Sequence, residues 1–101
     1  MIRILLCCAA GMSTSMVVNK MKQAAAAKSI DVDINAVSID EFESCYSEYD
    51  CYLLGPQIKY KLADFKVKAD ALGKPISVID PMDYGMMKGD KILADALAMI
   101  Q

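Results

Sequence analysis

The residues of this sequence best suited to chemistry are a cysteine and the small and hydroxyl-bearing residues after it. Cys8 ends an apolar run and is followed by Ala-Ala-Gly-Met-Ser-Thr-Ser. Backbone N–H groups of such a loop, with those of a following first helical turn, can surround an anion. A helix N-terminus favours the thiolate form of a cysteine, which is a nucleophile. The pattern predicts a nucleophilic Cys8 whose phosphoryl adduct is held by the same N–H groups.

The predicted phosphate-binding loop has seven residues: Ala9, Ala10, Gly11, Met12, Ser13, Thr14 and Ser15. The alternative interpretation is that Cys8 is a buried structural cysteine before an ordinary strand-to-helix turn. Cys7 is interpreted as core packing, because neighbouring residues of a strand point to opposite faces. Cys45 and Cys51 are also interpreted as structural.

Alternating strand and helix patterns must position this loop. Ile2–Cys7 is a continuous apolar run, typical of a strand buried on both faces. Gly11 ends it, and the hydroxyl-bearing residues 13–15 are good N-caps for a helix to about residue 27. Further strands are predicted at Val32–Val37 (half-buried and nearer an edge), Cys51–Leu54 and 76–79. Helices are predicted at 58–72 and from Gly89 onward, and a short helix or turn is predicted at 40–49. Gly73 is expected to end the helix at 58–72 in a left-handed conformation.

The order β-α-β-(α)-β-α-β-α predicts the α/β class. We expect a single domain over residues 1–101, a three-layer sandwich of one four-stranded parallel sheet with helices on both faces. Right-handed crossovers and a reversal after the first βα unit give the strand order 2-1-3-4. Ligands of such sheets bind beyond the carboxyl ends of the strands at the point of reversal, where the loop after Cys8 lies.

Composition narrows the class of function. Eleven basic against thirteen acidic residues give a net charge of −2, which argues against nucleic-acid binding. The chain has no histidine and no Cys-x-x-Cys pair, so we expect no metal site, no cofactor and no phosphohistidine here. No apolar run approaches the roughly 20 residues of a membrane span, and the apolar start is too short for a signal peptide. These features predict a cytoplasmic protein with free thiols that does not insert into the membrane.

Three stretches of the sequence resemble a known family. Residues 8–15 look like the phosphocysteine loop of EIIB proteins of the lactose/cellobiose (chitobiose) class of the sugar phosphotransferase system. Leu-Gly-Pro-Gln-Ile at 54–58, with Tyr60 after it, is similar to a second stretch of that family. Val-Ile-Asp at 78–80, followed by Tyr84 and Gly85, looks like a third. The stretches occur in the same order and cover essentially the whole chain.

The resemblance implies a phosphotransferase that carries a phosphoryl group. A phosphohistidine on a partner EIIA would pass its phosphoryl group to Cys8, and Cys8 would pass it to a sugar held by the membrane component EIIC. The sugar class implied is a β-disaccharide such as cellobiose, chitobiose or lactose. We expect a monomer that docks transiently with both partners, at the inner face of the membrane through EIIC.

The loop also resembles that of low-molecular-weight tyrosine phosphatases, whose pattern is Cys-x5-Arg-Ser. The arginine position holds Thr14 in this sequence. Arginine would stabilise the charge of a hydrolytic transition state, so its absence disfavours the alternative function, a cysteine phosphatase. Asp80, before Pro81, resembles the general-acid aspartate of the phosphatases, although a plain strand-ending turn is the interpretation we favour. Gln57 and Tyr84 are further candidates for residues that support the site from nearby.

Overall fold

The computed structural model describes residues 1–8 and 12–100, without the side chains of residues 12–14. Four parallel strands form one sheet in the order β2-β1-β3-β4, as the sequence predicts. The strands are β1 (Ile2–Cys7), β2 (Val32–Val37), β3 (Cys51–Leu54) and β4 (Ile76–Val78). The helices are α1 (Met12–Ala27), α2 (Ile39–Cys45), α3 (Leu62–Ala71), α4 (Pro81–Gly85) and α5 (Gly89–Ile100). Short 3₁₀ segments at Tyr46–Glu48 and Pro56–Lys61 precede β3 and α3.

The sheet has an apolar layer on each face, because alternate residues of β1 point to opposite sides. Ile4 and Leu6 pack with Val17 of α1 and Ile92 of α5 in one buried cluster. Leu5 and its neighbours pack on the other face against α2 and α3, in a cluster that also contains Cys7, Phe42, Tyr52 and Phe65. Helices on both faces confirm the predicted three-layer architecture.

Contact between α1 and α5 depends on a residue without a side chain. A Cβ on Gly89 would lie 2.4 Å from the backbone carbon of Lys20 and 2.5 Å from the backbone nitrogen of Met21. These separations are well inside normal van der Waals contact. The start of α5 therefore packs directly on the backbone of α1.

Several predicted boundaries need correction. The helix predicted at 58–72 begins instead as a 3₁₀ segment at Pro56 and becomes α-helical only at Leu62, with non-helical backbone at Ile58. The last strand stops at Val78, one residue early, and α1 begins at Met12, ahead of the hydroxyl residues expected to cap it. These ends are set by packing and by turn geometry, which apolar periodicity does not report.

A short helix follows β4 where a simple turn was predicted. Asp80 is the N-cap of α4: its Oδ1 accepts hydrogen bonds from the backbone nitrogens of Met82 (2.8 Å) and Asp83 (3.2 Å). Pro81 occupies the first helical turn, where its missing N–H costs nothing. Gly73, in contrast, has the predicted left-handed conformation, with φ +68°.

Candidate active site

Cys8 lies directly beyond β1, between the ends of the two strands that flank it. Its backbone nitrogen donates a hydrogen bond to the carbonyl of Val37 at the end of β2 (3.2 Å). On the other side, the backbone nitrogen of Gly55 donates to the carbonyl of Cys7 (2.8 Å). The strand order reverses at β1, so this is the point of the sheet where ligands of doubly wound folds bind. Cys8 is 5% exposed.

The two adjacent cysteines occupy different environments. Cys7 is fully buried in the cluster on the α2 and α3 face, and burial raises the pKa of its thiol to about 12. Cys8 lies beside Gly55, on the face that carries Leu6 and Leu53 and that α1 covers. The interpretation of Cys7 as core packing agrees with this environment. Cys8 is on the side of the sheet where α1 begins.

The predicted phosphate-binding loop is only partly described. Ala9, Ala10 and Gly11 lie outside the described residues, as do the side chains of Met12, Ser13 and Thr14. The backbone of residues 12–15 forms the first turn of α1, whose N–H groups have no partner within the helix. This turn contains no acidic residue that would repel an anion, and the Ser15 side chain is exposed. Cys8 is thus followed within four residues by a helix N-terminus.

Gln57 is the predicted supporting residue that the structure brings beside Cys8. It lies in the 3₁₀ segment after β3, and its side chain is exposed. A Cβ on Gly55 would lie 2.8 Å from Gln57 Oε1 and 3.0 Å from the Cβ of Cys8. The Gln57 carboxamide and the Cys8 side chain therefore border the same small space above Gly55.

Asp80 and Tyr84 are placed differently from Gln57. The Asp80 carboxylate accepts the two α4 cap hydrogen bonds, and β3 separates its strand from β1. Tyr84 is 8% exposed and belongs to the buried cluster with Val17 and Val18 of α1. The backbone nitrogen of Tyr84 also donates to the carbonyl of Asp80 (2.9 Å). Both residues help to fold α4 at the carboxyl end of the sheet.

Two features of this end of the molecule were not predicted. The position of Gly55 directly opposite Cys8 follows only from the register of β1 and β3, which pairs Cys7 with Leu54. Asp83, 5% exposed, pairs with Lys91 of α5 (2.9 Å), which also contacts Asp95 (3.1 Å). Hydrogen bonds to Asp83 and then to Asp95 raise the pKa of Lys91. The only sequence feature that points to the Asp83–Lys91 pair is the presence of opposite charges on neighbouring helices. That feature does not show whether a pair is buried or exposed to solvent.

Neither a metal site nor a disulfide contributes to this arrangement in the described part of the chain. Among those residues no group of three or more histidine, cysteine, aspartate or glutamate side chains could hold a metal ion. All four cysteines are free thiols. Within the same residues, no helix is long and apolar enough to cross a membrane. The arrangement places the Cys8 side chain four residues before the start of α1, with the neutral Gln57 carboxamide beside it.

Comparison with known proteins decides the family. The family model described as the lactose/cellobiose-specific IIB subunit of the PTS system matches residues 3–95. The chain belongs to this family. As an EIIB component it is a phosphotransferase of a sugar phosphotransferase system, and such components work with EIIA and membrane EIIC partners. The resemblance found in the sequence is confirmed.

Individual relatives cover nearly the whole chain. A galactose-specific EIIB component of Lactococcus lactis subsp. cremoris and a cellobiose-specific one of Lactococcus lactis subsp. lactis are each 44% identical over 98 residues, covering 92% of this chain and 91% of the relative. An oligo-beta-mannoside-specific EIIB component of Bacillus subtilis is 37% identical over 98 residues (97% and 95% covered). The EIIB relatives therefore differ in the sugar that their names give.

Solved structures of EIIB proteins have the same fold. The cellobiose-specific IIB protein of Borrelia burgdorferi superimposes with a TM-score of 0.81 at 34% identity, covering 98% of this chain and 91% of its own. The lactose-specific IIB domain of Streptococcus pneumoniae gives a TM-score of 0.90 at 24% identity, covering 99% and 98%. At 24% identity, the likeness to the Streptococcus pneumoniae domain concerns the fold alone.

Proposed function

We propose that this EIIB component carries the phosphoryl group on Cys8. The observation that carries the proposal is the position of Cys8, at the end of the central strand where the strand order reverses, four residues before the start of α1. The loop of residues 9–15 holds the phosphoryl oxygens through its N–H groups, as the positive end of a helix favours. Gln57 supports the site from the 3₁₀ segment after β3, and Asp80 and Tyr84 support it by folding α4 at the same end of the sheet.

The reaction consists of two in-line displacements. In the first, the Cys8 thiolate attacks the phosphohistidine of EIIA; the S–P bond forms, the N–P bond breaks, and the electron pair returns to the imidazole nitrogen. In the second, a sugar hydroxyl bound by EIIC attacks the phosphocysteine; the O–P bond forms, the S–P bond breaks with its electron pair returning to the Cys8 thiolate, and the hydroxyl proton passes to solvent water. Both transition states are loose, so donors positioned around the phosphoryl oxygens supply the catalysis.

The acceptor we propose is a β-linked disaccharide such as cellobiose, chitobiose or lactose. Two of the relatives, named for cellobiose and oligo-beta-mannoside, support this class, whereas the third is named for galactose. Because the sugar is bound by EIIC, residues of this chain do not select it. We further propose that the protein works as a monomer in the cytoplasm and reaches the membrane through EIIC.

The deciding experiment is phosphorylation by EIIA from the same operon, followed by intact and peptide mass spectrometry. We expect one phosphoryl group on Cys8 and none on the Cys8→Ser variant, and we expect the two proteins to have the same circular dichroism spectrum. Transfer that persists in Cys8→Ser would refute the carrier mechanism. Release of free phosphate without an adduct would favour the alternative, a cysteine phosphatase, which Thr14 at the arginine position argues against.

A further inference from the structure

Gly55 allows Gln57 and Cys8 to approach the same point. Its backbone nitrogen donates to the carbonyl of Cys7, so Gly55 lies alongside Cys8 as a continuation of the β1–β3 pairing. A Cβ there would lie 3.0 Å from the Cβ of Cys8, against the roughly 3.5–4.0 Å of ordinary carbon contacts. The same Cβ would lie 2.8 Å from Gln57 Oε1. Glycine thus leaves open a space that these two side chains border.

The Gln57 side chain has the chemistry to use this space. A carboxamide carries two N–H donors and one acceptor, and rotation about its last bond exchanges the two ends. Gln57 is exposed and belongs to neither of the two buried clusters, so its carboxamide can reach a ligand from the solvent side. Asp80, in contrast, is committed to the α4 cap, and Tyr84 lies in the apolar cluster.

We propose that Gln57 is a catalytic residue that donates a hydrogen bond from Nε2 to an oxygen of the phosphoryl group on Cys8. This inference rests on the proposed phosphocysteine function. A neutral donor orients the phosphoryl group for both displacements without the positive charge that arginine supplies in a hydrolytic loop. Gly55 is the residue that permits this contact, since any side chain at that position would separate Gln57 from Cys8.

Two substitutions at Gln57 separate the donor from the shape of the side chain. Gln57→Met keeps the length and removes both donors, whereas Gln57→Glu keeps the shape and, when ionised, only accepts. Loss of a hydrogen bond to a charged group slows a reaction about tenfold to a hundredfold when that bond stabilises the transition state. At pH 7.5 we expect transfer from phosphorylated EIIA to slow about tenfold in Gln57→Met and about a hundredfold in Gln57→Glu. Circular dichroism and thermal midpoints should not change.

The pH dependence of Gln57→Glu distinguishes direct contact from a structural role. A protonated carboxyl group is again a donor, and a neighbouring phosphoryl group raises the pKa of a carboxyl above its ordinary value of about 4.3. The rate of Gln57→Glu relative to wild type should therefore recover as the pH falls from 7.5 to 5.5. Lys59→Gln makes the same change in net charge on the same segment, and we expect its rate to stay within twofold of wild type at both pH values.

Gly55→Ala tests the same contact from the other side. We expect Gly55→Ala to slow transfer about as much as Gln57→Met does. The double variant should be no slower than either single variant, because both substitutions remove the same interaction.

Rates of Gln57→Met and Gln57→Glu within twofold of wild type, with Cys8 phosphorylated in all, would overturn the role of Gln57 and leave the carrier function standing. A wild-type protein that takes up no phosphoryl group on Cys8 would overturn both.

Discussion

The carboxylate of Asp83 on α4 lies 2.9 Å from the ammonium group of Lys91 on α5. Asp83 is 5% exposed, whereas Lys91 reaches it from the solvent side and also contacts Asp95 one turn further along α5. The pair therefore joins the short helix that follows β4 to the helix that packs on α1. Because a buried carboxylate without a cation is costly, Lys91 holds α4 in place.

Removing Lys91 should destabilise the protein more than removing an exposed lysine. Lys91→Met leaves the buried Asp83 carboxylate unpaired, and we expect the thermal midpoint to fall by about 4 °C or more. The matched control is Lys66→Met, which breaks the exposed pair of Lys66 with Asp70 (3.3 Å) on α3 and should change the midpoint little. Differential scanning calorimetry measures both. Equal shifts in the two variants would show that Asp83 does not need its partner.

The close packing of α5 on α1 predicts that Gly89 does not tolerate a side chain. In Gly89→Ala the new Cβ meets the backbone of Lys20 and Met21, which has no rotamer to adopt, and we expect a loss of about 1–3 kcal/mol in the free energy of unfolding. Gly85→Ala is the control, since a Cβ there meets nothing within 4 Å. Urea unfolding followed by circular dichroism compares the two. A Gly89→Ala protein as stable as Gly85→Ala would contradict the helix contact.

The cysteines should react in a defined order with iodoacetamide at neutral pH. Burial raises the pKa of the Cys7 and Cys51 thiols to about 12, so both stay protonated in the folded protein at neutral pH. The Cys45 thiol donates to the carbonyl of Glu41 (3.3 Å), and burial with nearby carboxylates raises its pKa too. We therefore expect Cys8 to be modified first.

Peptide mass spectrometry of partially alkylated protein measures this order. Prior phosphorylation by EIIA should protect Cys8 and leave the slow reaction of Cys45 unchanged, which serves as an internal control. Modification of Cys45 ahead of Cys8 in the native protein would favour the interpretation of Cys8 as an inert structural cysteine.

The buried thiols also predict a loss of stability at alkaline pH. Cys7 and Cys51 stay protonated in the folded chain up to about pH 12 but ionise near pH 8.5 when unfolded. Their contribution to the free energy of unfolding is therefore complete below about pH 8.5 and decreases as the pH rises, by about 1.4 kcal/mol per pH unit for each thiol.

Cys51→Ala removes one of these titrations. Between pH 9 and 11 we expect the free energy of unfolding of Cys51→Ala to fall less steeply than that of the wild type, even though the variant is less stable at pH 7 because of the cavity. Urea unfolding at each pH supplies the comparison. Parallel pH profiles for the two proteins would mean that Cys51 also ionises in the folded state.

The sequence by itself determined the architecture and the central residue of the site. The runs Ile2–Cys7 and Cys51–Leu54 became strands with the predicted bounds, and the strand order 2-1-3-4 followed from chain alternation and handedness. Both depend on local apolar patterning and on general rules of connection. The same rules place Cys8 where the strand order reverses, and the motif around it identified the family.

Only the tertiary structure decided which side chains meet there. That Gly55 lies beside Cys8 and allows Gln57 to approach depends on the register between β1 and β3, which residues distant in the sequence set together. Asp80 was a candidate for the site, but its carboxylate caps a helix that periodicity did not predict, since five residues are too few to show a helical period. Contacts of this kind depend on packing between residues far apart in the sequence, whereas strands and helices depend mainly on the local spacing of apolar residues.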